Sequence, residues 1–306
     1  MERTLDFEAN KVELLTLDEL KETYHEHYPD GTPVGGIYHD EFYSFILESL
    51  TDLGFTPVVK EIFAANNKDK YRPGVTRLPF AEEQFGEKNL KTYILRRVFA
   101  NIEIMAVDGE FCMNMAVAYH QKGLQVAVGP FVHVCHNQSI LSAKHSWANY
   151  STGIGGKVRF ADMNQALRNL KLTMDDWRTN YLSSEGLEKM KNMITFMKET
   201  PFYEDSLVNV LGTMLCKRVR HDSANKMIHD PKPYPLNASD LNAVAEKLLV
   251  TKGLSEQMSF WDIYNIFNSV IKPSQTDIPS IMPQLVSLNE VLLEELSART
   301  SRTFDL

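Results

Sequence analysis

The sequence predicts an α+β fold: an antiparallel sheet of about four strands built from consecutive hairpins, flanked by helices, with a helical C-terminal portion. Three observations predict it. Residues 91–140 read as three alternating apolar segments cut by two short turns. Asp108-Gly109 lies between the apolar runs 102–107 and 111–119, and Asp-Gly accepts the positive φ of a tight primed hairpin turn. From residue 163 onward, apolar side chains recur at helical spacing in one segment after another.

Each element has its own warrant. Residues 1–30 read as an extended acidic arm, and 31–306 as a single α+β domain, β-rich over 56–140 and helical over 160–300. Thr16 followed three residues on by Glu19 is a capping box that opens a short helix. The turn-rich loop 28–36 precedes a helix over 39–53, where Phe42, Phe45, Ile46, Leu50 and Leu53 form one apolar stripe. Gly54 is placed to cap it. Residues 56–64 alternate and carry β-branched Val58, Val59 and Ile62, a strand pattern. Gln121-Lys122-Gly123 makes a second turn, and a regular second hairpin would set Phe111 opposite His133. Gly129-Pro130 interrupts the last strand, which implies a bulge or an edge there. The glycine-rich run 149–157 reads as a flexible loop feeding a helix over 163–181. Further helices are expected over 184–200, 203–220, 238–250, 260–271 and 284–296, with Pro-rich breaks at 230–235 and 272–283.

Composition bounds the class. Of the 306 residues, 43% are hydrophobic and 24% charged, the balance of a globular domain. No apolar run reaches the roughly 18–20 residues of a membrane span, and the acidic N-terminus lacks the pattern of a secretory signal. Three widely spaced cysteines argue against a disulfide framework and for a reducing cytoplasm. The net charge of −8 is uneven. Residues 1–55 hold 3 basic and 13 acidic side chains, whereas residues 56–160 hold 13 basic and 8 acidic. An acidic arm beside a mildly basic β region has the distribution of a nucleic-acid surface.

The chemistry-bearing constellations are weaker than they look. A Walker A motif fails twice: Val158 follows Gly156-Lys157, and Ser151 stands where the first glycine belongs. His133, Cys135 and His136 lie within four residues, but on a strand His133 and Cys135 share one face and His136 takes the other. One converging pair is short of the four ligands of a structural zinc, so no metal and no cofactor is expected. Cys135 sits in an apolar run, where free cysteine is usually a small hydrophobe, and no catalytic residue is assigned. His221-Asp222 and His229-Asp230 bracket a polar segment read as a solvated loop.

Three segments together carry a resemblance. Residues 32–42, with His39, look like a P-x-I-S-H-x-x-F opening. Residues 126–140, with Gly129-Pro-Phe and then Cys135-His136-Asn137, are similar to a G-F-x-x-x-V-C-T-N signature. Trp261, Tyr264 and Asn265 look like a W-x-L-Y-N segment. In that order they resemble the phage/plasmid-like protein family (domain of unknown function 932) and its relative, domain of unknown function 3871. His136 and Tyr38 depart from the pattern. The resemblance implies a phage or mobile-element context and a β-rich α+β core followed by helices, and it names no activity. The order of elements is also similar in outline to single-strand annealing proteins, an analogy of fold that carries no function of its own.

The function expected is that of a non-enzymatic, DNA-associated accessory factor, acting on single-stranded or duplex DNA by binding or annealing. Its candidate surface comprises Lys68, Lys70, Tyr71, Arg72, Arg77, Arg96, Arg97, Lys144, Lys157 and Arg159. The alternative is a structural or protein-interaction component, virion-associated or host-factor-binding, that makes its contact through the acidic arm. An enzyme centred on His133, Cys135, His136 and the 153–157 loop is the third reading. No membrane partner is expected, and the oligomeric state is open.

Overall fold

The computed structural model describes residues 12–21, 36–66, 95–107, 111–120, 123–132, 137–138, 145–150, 152–154, 157–159, 163–216, 219–221, 227–229, 238–251, 257–271 and 278–302. The chain divides into two compact units. One takes Met1–Asp108, Cys112–Val128 and Trp147–Asp175, and the other takes Gly109–Phe111, Gly129–Ser146 and Asp176–Leu306.

The first unit is built on an antiparallel sheet. Val12–Leu14 (β1), Val58–Asn66 (β2), Leu95–Ala106 (β3), Phe111–His120 (β4) and Gly123–Val132 (β5) lie in sequential order across it. The α+β class and the hairpin order are those the sequence predicts. Residues 12–14, within the span read as an arm, pair with Phe63–Ala65 of β2.

Strands β3 and β4 pair antiparallel, with Ile102 opposite Met115 and Glu103 opposite Asn114; the Asp108-Gly109 turn lies outside the described residues. One residue is then gained on β3, and Met105 pairs with Met113. A β-bulge at Ile104 absorbs it.

One helix covers a face of this sheet. His39–Asp52 (α2) buries Phe42, Tyr43, Ile46 and Leu50 along one stripe, worth about 1.5–3 kcal/mol per large apolar side chain. Tyr43 sends its hydroxyl into the sheet, donating toward the carbonyls of Val98 at 3.0 Å and Val117 at 3.1 Å. Tyr119 of β4 returns a bond to the Ile37 carbonyl at 2.8 Å. The helix ends as a Schellman motif: Phe55 N–H reaches Leu50 O, Gly54 N–H reaches Thr51 O, and Gly54 has φ +88°. Leu17–Lys21 (α1) packs on α2 and opens with the expected box, Thr16 and Glu19 bonding reciprocally.

The second unit is helical. Its main elements are Ser184–Glu199 (α4), Glu204–Cys216 (α5), Ala238–Thr251 (α6), Phe260–Ile271 (α7) and Ile278–Thr300 (α8). Preceding them, Met163–Asn180 (α3) starts in the first unit and finishes in the second. Its Lys171 pairs with Asp52 at the end of α2. Arg299 of α8 bonds Asp205 of α5 and, at 3.0 Å, Glu295 one turn back on its own helix. A short pairing of Pro201–Phe202 (β10) with Met258–Ser259 (β13) draws the Phe202 and Phe260 rings to 4.9 Å.

Four expectations need correction. The glycine run is not simply a loop: Ser146–Tyr150 (β7) pairs with β5, and Thr152–Ile154 (β8) pairs with Lys157–Arg159 (β9) in a ribbon of their own. Thr152 stands opposite Arg159 and Ile154 opposite Lys157. The helix expected to reach residue 220 stops at Cys216, because Val219–His221 (β11) pairs with Met227–His229 (β12). His221 and His229, read as loop residues, lie on that ribbon, and Asp222 and Asp230 lie outside the described residues. Finally, α8 begins at Ile278, inside the expected Pro-rich break, since Pro279 lies in the first turn where its missing N–H costs nothing.

Candidate functional site

Two of the three signature segments meet in the second unit. Trp261, Tyr264 and Asn265 lie on α7, which packs against α4, α6, α8, β10, β13 and the short strand Asn137–Gln138 (β6). Strand β6 pairs with Phe131 and Val132 at the end of β5, immediately after Pro130. Asn137 is thus set beside the helix that carries Trp261 and Asn265. Cys135 lies outside the described residues, as do His133 and His136.

The helix is positioned by its first turn. Asp262 accepts from Ser259 N–H at 3.0 Å and Ser259 Oγ accepts from Asp262 N–H at 3.1 Å, a capping box with aspartate in the third position. Burial then extends almost all round α7, with Phe260, Ile263, Tyr264, Phe267 and Asn268 inaccessible. Trp261 and Tyr264 stack at 5.4 Å, and Lys198 of α4 places its ammonium 5.9 Å over the indole. Asn268 donates to the Tyr264 hydroxyl at 3.4 Å. The signature aromatics are therefore packing residues of a central helix. Asn265 is the half-buried member of the set.

His39 has a comparable role in the first unit. It is buried on α2 with its ring 4.1 Å from that of Tyr119. His145, in the second unit, lies 4.0 Å from the Tyr181 ring.

Of the basic candidates, Lys68, Lys70, Tyr71, Arg72, Arg77 and Lys144 lie outside the described residues. The others fall on strands. Arg97 pairs with Ala65 and Leu95 with Asn66, so Arg96 is the extra residue of a bulge in β3. Lys157 and Arg159 are alternate positions of β9, in a two-stranded ribbon that pairs with no other described strand.

The structure adds a polar cluster on the sheet that sequence reasoning missed. Lys60 is the extra residue of a bulge in β2, between Val59 and Glu61. It forms an ion pair with Glu103 at 2.9 Å. Glu103 stands opposite Asn114, and Cys112 is two residues along the same face of β4. Cys112 is only 2% exposed. Burial, reinforced by the Glu103 carboxylate and partly offset by Lys60, pushes its thiol up to about 11. A thiol so held is neutral and a poor nucleophile near neutral pH. Nearby in β3, Asn101 buries its Oδ1 without a hydrogen-bond partner among the described residues. The one signal available in sequence was the charged Glu103 within an apolar run.

Among the described residues, no three His, Cys, Asp or Glu side chains converge as a metal site. No described helix is long and apolar enough to cross a membrane. No family model, curated protein or solved structure matches the chain.

Proposed function

We propose that this chain is a non-enzymatic, DNA-associated accessory protein of a phage or mobile element, contacting DNA through its β ribbon and basic strand positions. The observation that carries the reading is the β8–β9 ribbon. It is a separate two-stranded unit with a glycine pair between its strands and Lys157 and Arg159 at alternate positions. A two-stranded antiparallel ribbon has the width the DNA major groove admits. The Arg96 bulge beside Arg97 adds a second basic position at the end of β3. Residues 56–160 hold 13 basic against 8 acidic side chains while the whole chain is at −8, so the basic charge is concentrated in the region that contains both. The phage context rests on the resemblance of the three signature segments.

Fluorescence anisotropy with labelled single-stranded and duplex DNA tests this. Binding is expected at low salt and weakens as salt rises, because released counterions drive the association. Absence of binding to either DNA at low salt contradicts the reading.

A further inference from the structure

We propose that the outer face of α5 pairs antiparallel with the same helix of a second copy of this chain, Val208 of each copy seating over Gly212 of the other. An unexplained glycine carries the inference. Gly54 is required by its positive φ, and Gly186 by the Asn180 and Tyr181 carbonyls that would crowd a Cβ placed on it. Gly212 has neither reason. It lies within α5, and a Cβ built on it meets nothing within 4 Å. Glycine inside a helix is destabilising relative to alanine, and nothing within the chain requires it here. Close approach of a second backbone is the use such a position has.

The residues around Gly212 form a self-matching surface. Helix α5 turns Ser206 and Val210 inward, fully buried, and packs on α8. Val208 and Gly212 lie one turn apart on the opposite side. Val208 is 69% exposed, and Leu211 is half-buried beside the pair. Positions 208 and 212 are equally far from 210, the middle of the helix Glu204–Cys216. A two-fold axis at that level sets Val208 of one copy against Gly212 of the other, and repeats the contact. Such an axis closes the assembly at two copies.

Charge selects a second copy as the occupant. The first turn of α5 is acidic, with Glu204 and Asp205, and the chain continues past its last residue with Lys217 and Arg218. Asp205 is held by Arg299 of its own chain, whereas Glu204 is exposed on the outer side. Antiparallel pairing brings Glu204 of each copy alongside the end of its partner's helix, where Lys217 follows in the chain. A parallel pairing would instead set the two acidic turns side by side. One helix pair is smaller than an obligate interface, so the dimer forms reversibly with concentration. This surface stands apart from the DNA reading, and either can fail without the other.

Sedimentation equilibrium on the full chain, from low to several hundred micromolar, tests this. A reversible monomer–dimer equilibrium is expected. Gly212→Gln puts a side chain where Val208 of the second copy sits, and should raise the dimer Kd about tenfold or more. Its thermal midpoint should stay level or rise, because glutamine is the better helix former. Val208→Ala should also weaken the dimer with the fold intact. Glu204→Lys should weaken it and reverse its response to salt. The proposal is overturned if the chain stays monomeric throughout the range, since the face then belongs to another partner or to none. It is also overturned if Gly212→Gln or Val208→Ala dimerises like the parent, if Glu204→Lys changes neither Kd nor salt response, or if association runs past two copies.

Discussion

Cys112 shows how a single side chain ties the sheet to a measurable pH dependence. Its thiol ionises near 9 when exposed and at about 11 in the fold. The folded state therefore holds the proton more tightly. The stability this contributes is complete below about pH 9 and lost as the pH rises through about 11. Tyr43 is raised well above its ordinary value by burial and by Tyr119, so it adds to the same alkaline loss. Urea midpoints measured from pH 8 to 11 should fall for the parent protein and fall less for Cys112→Ala. Equal slopes would mean that the thiol is not buried as described. Tyr43→Phe is a second residue-scale prediction. It removes the hydroxyl that reaches Val98 and Val117, and should cost about 1 kcal/mol, because those strand carbonyls keep other partners. A loss of several kcal/mol would show that the hydroxyl is the sole partner of one carbonyl.

Elements differ in how plainly the sequence announces them, and the reason is length. Helix α2 and strands β3 and β4 each extend over ten or more residues, so their periodicity is plain in the sequence. Helix α7 was legible end to end because a Ser-x-x-Asp box opens its apolar run. The ribbons β8–β9 and β11–β12 have strands of three residues, too short for a period-2 pattern to show. Only Gly155-Gly156 marked the first of them. The bulges that re-aim Lys60 and single out Arg96 follow from register with a neighbouring strand, and no local sequence contains that information. Two glycine variants test the element boundaries. Gly54→Ala should cost about 1–2 kcal/mol, since φ +88° is left-handed while an added Cβ meets nothing within 4 Å. Gly54→Asn should be milder, because asparagine tolerates that conformation. At Gly186 the conflict is steric: a Cβ would lie 2.3 Å from the Asn180 carbonyl oxygen and 2.7 Å from that of Tyr181. Gly186→Ala should cost about 1–3 kcal/mol, and Gly186→Asn should not rescue it. Equal ranking of the two sites in thermal unfolding would contradict the distinction.

At the scale of the whole molecule, the chain passes between its two units after Asp108, Phe111, Val128, Ser146 and Asp175. The passage after Val128 falls at Gly129-Pro130, the interruption that the sequence marked as a break in a strand. The signature residues divide between packing roles: His39 in one core and Trp261 with Tyr264 in the other. The central claim is that the basic ribbon contacts DNA. The direct measurement is the salt dependence of DNA affinity for the parent chain and for Lys157→Ala/Arg159→Ala. Each lost phosphate contact lowers the slope of log affinity against log salt by about 1. The account predicts weaker binding to all sequences and a slope smaller by about 2 in the double variant. An unchanged affinity and slope, with binding intact, would place the DNA contact elsewhere and contradict it.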